Sequence, residues 1–178
     1  MTHMDEVVVA TVSRRERAPE RPLDFETFFE QHHERLFRAL WLVTRNRHEA
    51  EEIMQDAFLS VWQRWDRVAP GPDPVAYLYR TAMNGWKSRV RRAGVALRKA
   101  FHQLQADDEL AAVEGRDAVV RALAPLPPRQ RAAVVLMDVL DLTSKRAGEV
   151  LGIAPVTVRV LAARARATLA KEMSERDG

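Results

Sequence analysis

The last quarter of the chain, DLTSKRAGEVLGIAPVTVRVLAARARATLA from Asp141 to Ala170, has the pattern of two short helices joined by a tight turn. Thr143 can cap the first helix, and Gly152 can adopt the left-handed conformation that ends it. Pro155 suits the first position of the second helix, where no amide hydrogen is needed. The stretch therefore predicts a helix-turn-helix, which places the chain among small helical bundles.

The second of these helices is basic on the side that turns away from the core. At about 100° per residue, its inward positions are Val158, Leu161, Ala165 and Leu169. Guanidinium groups bind phosphates or guanine edges, and methyl groups contact thymine methyls. We therefore expect a DNA-binding face rather than an ordinary helical hairpin within a core. This face consists of Val156, Val160 and Ala163, flanked by Arg159, Arg164 and Arg166.

Composition narrows the class of protein further. The 178 residues are 47% hydrophobic but only 7% aromatic, with 7 glycines and no cysteine. This favours an all-α protein and excludes disulfides and thiolate metal sites. Because neither a secretory signal nor a membrane-spanning apolar run is recognisable, we expect a cytoplasmic protein without membrane insertion.

A first bundle is predicted over residues 23–95, after an N-terminal extension (residues 1–22) that we expect to be disordered. We expect Asp24 to cap the first helix and a second helix to run from about His48 to Trp65. A third helix, capped by Asp73, is expected to follow the loop Val68–Pro74 and to end near Arg92. The apolar face of the first helix comprises Phe25, Phe28, Phe29, Leu36, Phe37, Leu40 and Trp41. The buried stripe of the second comprises Ile53, Met54, Ala57, Phe58, Val61 and Trp62.

A second bundle is predicted over residues 116–175. It follows an acidic linker, residues 96–115, for which we expect partial helicity at most. Pro127 and Pro128 open a helix of the second bundle. Its expected core residues are Leu123, Leu126, Val134, Val135, Leu136 and Val139. The sequence thus predicts two small helical bundles joined by a linker.

Two further segments of the first bundle carry surface chemistry. EAEEIMQDAFLSVWQRW (residues 49–65) places an acidic, partly apolar ridge opposite its buried stripe, which is a better surface for protein than for DNA, although solvated charge alone is an alternative. AYLYRTAMNGWKSRVRR (residues 76–92) interleaves aromatic and basic residues, as single-stranded nucleic acid requires. Seven basic and no acidic residues occur from Arg80 to Lys99, a block that fits a polyanion or a solvated helix.

Taken together, these segments resemble the extracytoplasmic-function (group IV) sigma factors of bacterial RNA polymerase. EAEEIMQDAFLSVW resembles the core-binding helix of region two, and YLYRTAMNGWKSRVRR its promoter-melting and −10 helix. LPPRQRAAVVL resembles the start of region four, and LTSKRAGEVLGIAPVTVRVLAARARATL its −35 helix-turn-helix. The arginine- and alanine-rich composition is similar to that of actinobacterial members and resembles the SigE-like subgroup among them.

The resemblance implies a transcription initiation factor that brings RNA polymerase core to promoter DNA. It implies contacts with the β′ coiled-coil through Glu51, Glu52, Gln55, Asp56 and Leu59. It implies −10 recognition and melting through Arg80, Asn84, Trp86, Lys87, Arg89, Arg91 and Arg92. It implies −35 recognition through Val156, Thr157, Arg159, Val160, Ala163 and Arg164. The β flap and an anti-sigma factor are further implied partners, and the acidic linker is expected in the RNA exit path.

The chain departs from the family pattern inside the helix-turn-helix. Arg146 stands where glutamate is usual, Gly148 where alanine is usual, and Ala154 where serine often caps the recognition helix. Val156, Thr157 and Val158 replace the common Gly-Thr-Val. We therefore expect −35 recognition to depend more on methyl contacts and DNA shape than on bidentate hydrogen bonds. The segment Trp86–Ser88 also departs from the family pattern, in which aspartate is frequent at this place. We therefore expect an altered −10 preference as well.

Rival classes of function are less compatible with the sequence. We expect no enzyme, cofactor or metal site, because no zinc-binding helix, phosphate-cradling glycine loop or nucleophile triad is recognisable. The main alternative is a stand-alone helix-turn-helix regulator whose first bundle serves dimerisation or sensing. Such a protein would bind duplex DNA alone, as a dimer over two half-sites.

Overall fold

The structure, a computed structural model, describes residues 24–100 and 118–176, with side chains described for 24–93 and 119–175. All secondary structure in these two ranges is helical. The helices are α1 (Phe25–Thr44), α2 (Arg47–Trp62), α3 (Trp65–Val68), α4 (Pro74–Ala100), α5 (Ala118–Ala122), α6 (Pro128–Val134), which continues into a π-helical turn (Val135–Val139), α7 (Ser144–Leu151) and α8 (Pro155–Arg176). Residues 1–22 and the linker beyond Ala100 lie outside the described residues.

Side-chain caps set the starts of α1 and α4 in the first module, which comprises α1–α4. The Asp24 carboxylate accepts a hydrogen bond from the Thr27 amide at 2.8 Å. Asp73 accepts one from the Ala76 amide at 2.7 Å. Both satisfy amide groups that a first helical turn leaves unpaired. These two predicted caps are confirmed.

Two predicted boundaries in this module are wrong. The second helix ends at Trp62, and α3 then redirects the chain so that Trp65 packs edge-on against Phe25 at 5.4 Å between ring centroids. The same break leaves Trp62 58% exposed instead of buried. The third helix continues past Arg92 to Ala100, since the intervening residues are mostly good helix formers.

The second module is built from α5–α8. Its predicted core residues Leu123, Leu126, Val134, Val135 and Leu136 are buried, but Val139 is exposed. The reason is the π-helical turn, in which the Leu140 amide donates to the Val135 carbonyl at 3.1 Å, five residues back. The wider turn changes the rotation per residue and brings Val139 to the surface.

The first helix of the helix-turn-helix begins and ends at the residues predicted to cap it. Thr143 Oγ1 accepts from the Arg146 amide at 3.3 Å, and Gly152 ends α7 with φ 67°. The glycine at position 148 has a steric explanation. A Cβ at this position would lie 2.7 Å from the carbonyl oxygen of Ile153, so the turn between α7 and α8 can approach only a glycine.

The two modules pack against each other through α4 with α7 and through α1 with α6. Three hydrogen bonds across this seam share one design, a basic side chain meeting a carbonyl at or just beyond a helix C-terminus. They are Arg131 Nε to Val43 O at 2.9 Å, Arg35 Nη2 to Leu140 O at 2.7 Å, and Lys87 Nζ to Leu151 O at 3.0 Å. Carbonyls at this end lack helical partners and carry partial negative charge, so cations stabilise them.

Candidate nucleic-acid interface

The outward face of α8 is open to solvent. Val156 and Val160 are 55% and 44% exposed, although both are apolar. The other residues predicted for this face, Thr157, Arg159, Ala163 and Arg164, are exposed as well. Val158, Ala162 and Ala165 are buried on the opposite side and fix the rotation of the helix. All six predicted −35 residues therefore share one accessible surface.

Arg166 differs from the other arginines of this helix. Its Nε and Nη2 atoms donate to the two carboxylate oxygens of Asp138 at 2.9 and 2.6 Å. This two-pronged hydrogen bonding to Asp138 raises the pKa of Arg166. Arg166 therefore ties α8 to the π-helical turn instead of standing free beside Arg164.

The predicted −10 residues divide between several faces of α4. Arg80, Asn84, Arg91 and Arg92 are exposed. At about 100° per residue, Arg80, Asn84 and Arg91 lie within about 40° of one another around the helix axis, and Arg92 lies about 80° from Asn84. Trp86 is about 200° away from Asn84 around the helix axis, and only 4% of its surface is exposed. The expectation that Trp86 lies at a nucleic-acid surface is thus wrong, because its ring belongs to the core.

Lys87 and Arg89 are also engaged within the protein. Lys87 donates across the seam to Leu151, and its partial burial lowers the pKa of its ammonium, with a further contribution from Arg91. Arg89 points toward α2, where Nη1 lies 2.5 Å from Glu52 Oε2 and Nη2 lies 3.3 Å from Asp56 Oδ2. Both side chains are therefore occupied by contacts within the protein.

A cleft at the start of α4 adds residues that sequence reasoning missed. It has a volume of about 570 Å³, and its wall includes Tyr77, Arg80, Arg64 and Arg67. In the sequence, Arg64 and Arg67 could have been recognised as a basic pair that flanks Trp65 and Asp66 immediately before the loop. Cations around an exposed tyrosine ring are suited to a single-stranded nucleic acid.

The acidic ridge lies on α2, next to the face that carries Arg89. Gln55, Asp56 and Leu59 are exposed, and Leu59 reaches 52%. Glu51 and Glu52 are half-buried, since Glu51 pairs with Arg47 at 3.1 Å and Glu52 with Arg89. Trp62 extends the ridge by one turn, so an apolar pair lies beside the carboxylates. This combination is typical of a protein-binding surface.

Within the described residues, no three histidine, cysteine or acidic side chains form a group able to hold a metal ion. A search of the same residues finds no helix that is both long and apolar enough to cross a membrane.

Comparison with known proteins gives two family matches. Residues 28–95 match sigma-70 region 2, and residues 116–169 match sigma-70 region 4. The chain is similar to the ECF RNA polymerase sigma factor SigM of Mycobacterium tuberculosis, with 34% identity over 83% of this chain and 76% of SigM. It is 32% identical to SigE of Mycolicibacterium smegmatis over 82% of this chain and 61% of SigE.

Solved structures show the same fold. The sigma factor RpoE of Bartonella quintana, in complex with the anti-sigma factor NepR, superposes with a TM-score of 0.69 at 20% identity, covering 85% of this chain and 97% of RpoE. CnrH in complex with the cytosolic domain of CnrY gives a TM-score of 0.59 at 22% identity, covering 85% and 88% of the two chains.

Proposed function

This chain belongs to the extracytoplasmic-function sigma factors of RNA polymerase, the transcription initiation factors of the sigma-70 class, and from that premise we propose how its surfaces divide the work. Sigma factors are non-catalytic proteins, and we propose a cytoplasmic protein without enzymatic activity or cofactor. Membership of the SigE-like subgroup stays a prediction. The two modules, about residues 23–95 and 116–175, are assigned to region two and region four.

The acidic ridge of α2 is proposed to dock on the β′ coiled-coil of polymerase core. Asp56 and Gln55 supply exposed polar groups, and Leu59 with Trp62 supplies the apolar area that a stable interface needs. Glu51 and Glu52 flank this centre. The β flap is proposed as the site for the second module. The observation that carries this assignment is the exposure of two large apolar side chains beside carboxylates on a basic protein.

The open face of α4 is proposed to bind the −10 element during melting. We propose that the exposed Asn84 hydrogen-bonds an extruded base and that the cleft lined by Arg64, Arg67, Tyr77 and Arg80 receives single-stranded DNA. Extrusion costs a few kcal/mol per base, and stacking contributes about 1–3 kcal/mol per base. Arg91 and Arg92 are proposed to bind backbone phosphates.

The outward face of α8 is proposed to read the −35 element in the major groove. Val156 and Val160 present methyl groups, and Arg159 and Arg164 present guanidiniums for phosphates or guanines. The test is Val160→Ala. Selectivity among −35 sequences should weaken, and unchanged selectivity would contradict the proposal that methyl contacts carry recognition.

Both promoter elements cannot be bound while the modules stay packed together. The −35 and −10 elements are numbered by position along the DNA, so they lie about 25 base pairs apart, which is roughly 85 Å at 3.4 Å per base-pair step. A packed chain of this length is about 40 Å across. Binding to polymerase and promoter must therefore separate α4 from α7 and break the hydrogen bonds of the seam.

Run-off transcription with purified core polymerase tests the proposed function. The parent protein should direct transcription, and Gln55→Ala combined with Asp56→Arg should abolish or strongly reduce it by preventing association with core. Glu175→Arg is the matched control, since Glu175 is an exposed carboxylate near the end of α8, in the second module rather than on the ridge. Loss of transcription with Glu175→Arg but not with the ridge variant would overturn the assignment.

The stand-alone regulator is not favoured, because the match to sigma-70 proteins covers region 2 in the first module as well as region 4, which contains the helix-turn-helix. An anti-sigma factor is proposed as a further partner on the strength of the two structural neighbours that were solved with one. If the free chain bound duplex promoter DNA tightly without polymerase, the regulator would regain support.

A further inference from the structure

One cation joins the two surfaces that the proposed function keeps separate. Arg89 belongs to α4, the promoter helix, yet its guanidinium lies against the polymerase-docking ridge of α2. Nη1 is 2.5 Å from Glu52 Oε2, and Nη2 is 3.3 Å from Asp56 Oδ2. The two carboxylates are four residues apart, hence on one face of α2. A single arginine fork therefore spans them both.

The contact changes the charge of the ridge as a partner would meet it. The hydrogen bond to Arg89 is the main cause of the lowered pKa of Glu52 and of the raised pKa of Arg89. Glu52 and Asp56 still expose 45% and 76% of their side chains, whereas Arg89 exposes 26%. The carboxylates are thus accessible from outside but already partly neutralised from inside.

Arg89 also lies within reach of the promoter face. It is three residues before Arg92, which places the two side chains about 60° apart around α4 and one turn along it. Arg92 is exposed and bonded only weakly to its own helix, with Nε 3.4 Å from Ser88 O. A rotation of the long Arg89 side chain away from α2 would bring its charge beside that of Arg92.

We propose that Arg89 is a shared cation that occupies the docking carboxylates in the free protein and is released to promoter phosphate when polymerase takes them. The proposal rests on the proposed function, because it needs α2 to be the docking surface. It makes polymerase binding and DNA binding mutually reinforcing, since a basic partner on Glu52 and Asp56 removes the counter-ion that holds Arg89 back. In the free protein, therefore, the docking carboxylates of α2 are partly neutralised and the charge of Arg89 is withheld from promoter DNA.

The test compares one variant with the parent in two measurements, the affinity for core polymerase and the formation of the open promoter complex. Arg89→Gln removes the internal competitor, so affinity for core polymerase should rise about two- to fivefold, the range that a partly exposed ion pair supports. Formation of the open promoter complex by the assembled holoenzyme should fall, because one phosphate contact is lost. An ordinary DNA-binding residue would leave core affinity unchanged, and a residue that merely positions the ridge would lower it. Either result overturns the proposal.

Three further variants make the result specific. Arg38→Gln removes one positive charge from an exposed site on α1 and should leave core affinity unchanged. In a Glu52→Gln background, Arg89→Gln should lose most of its gain, since the stronger of the two contacts is already absent. Arg89→Lys keeps the charge without the fork and should lie between parent and Arg89→Gln, which provides a readout should the glutamine variant fold poorly.

The same assay separates this inference from the function on which it rests. If Gln55→Ala with Asp56→Arg leaves core affinity unchanged, the ridge is not the docking surface and the proposed function fails. If that variant loses core binding while Arg89→Gln gains none, the docking surface stands and the shared cation is refuted.

Discussion

The guanidinium of Arg146 in α7 forms an ion pair with the carboxylate of Asp73, the residue that caps α4 in the other module. Arg146 also meets Glu149 within its own helix at 3.4 Å. A carboxylate at position 146 would repel Asp73, so the arginine at this position gives the seam an attraction.

Breaking this pair should shift the chain toward separated modules. Arg146→Gln removes the charge, and because both groups are partly exposed the change in free energy should be at most about 1 kcal/mol, roughly a fivefold change in the ratio of packed to separated forms. Fluorescence energy transfer between labels on the two modules measures that ratio. Lys145→Gln, an exposed neighbour on the same helix, is the control and should leave it unchanged. Equal transfer in both variants would show that the pair does not hold the seam.

Gly148 should tolerate no larger residue. In Gly148→Ala the new Cβ would meet Ile153 O at 2.7 Å, so the turn that aims α8 must move, at an expected cost of about 1–3 kcal/mol. Gly85→Ala is the matched control, since its Cβ would make an ordinary 3.6 Å contact with Ile53 Cγ2. Within a helix that change should be neutral or stabilising by about 0.5–1 kcal/mol. Urea denaturation compares the two, and equal stabilities would contradict the steric argument.

Local signals account for the parts of the fold that were predicted. Caps at Asp24, Asp73 and Thr143 and the left-handed Gly152 could be recognised because each acts within four residues of itself. The inward direction of Trp86 could also be predicted from the sequence, because helical periodicity places this residue about 200° from Asn84. The exposed face of α8 was predicted from the same periodicity.

The remainder depends on neighbours that are distant in sequence. Nothing local to Arg131 predicts its burial or its hydrogen bond to Val43 O, 88 positions away. The sequence predicts a DNA contact for Arg89, because its partners on α2 lie 33 and 37 positions away and are not recognisable locally. A basic side chain looks alike in sequence whether it faces phosphate or a carboxylate, and only the packing of helices decides between them.

The two arginines near the end of the recognition helix should differ in their response to salt. Arg164 is exposed and proposed to contact phosphate, whereas Arg166 is held by Asp138 through two hydrogen bonds. With holoenzyme on a promoter, Arg164→Gln should weaken binding and reduce the slope of log K against log salt by about 1. Arg166→Gln should leave the slope near that of the parent. A slope lowered equally by both would place Arg166 on the DNA as well.

Stability should fall in mild acid because of His32. This side chain lines a cavity of about 210 Å³ at the seam, whose other titratable groups are Arg35, Asp73, Tyr79 and Arg146. Burial, together with the charge of Arg35, lowers the pKa of His32 from its usual 6.5. The unfolded chain then binds a proton before the folded chain does, so this contribution to stability is fully present above pH 6.5 and is lost as pH falls through the lowered folded value.

His32→Asn should remove that part of the pH dependence. Unfolding free energies from urea denaturation at pH 8 and at several values below 6.5 measure it, and the variant should lose less stability on acidification than the parent does. Comparison at pH 8 separates the titration from packing, because His32 is neutral there and any difference reflects the loss of its contact with Phe28, at 4.7 Å between ring centroids. Parallel curves for the two proteins would exclude His32 as the group responsible.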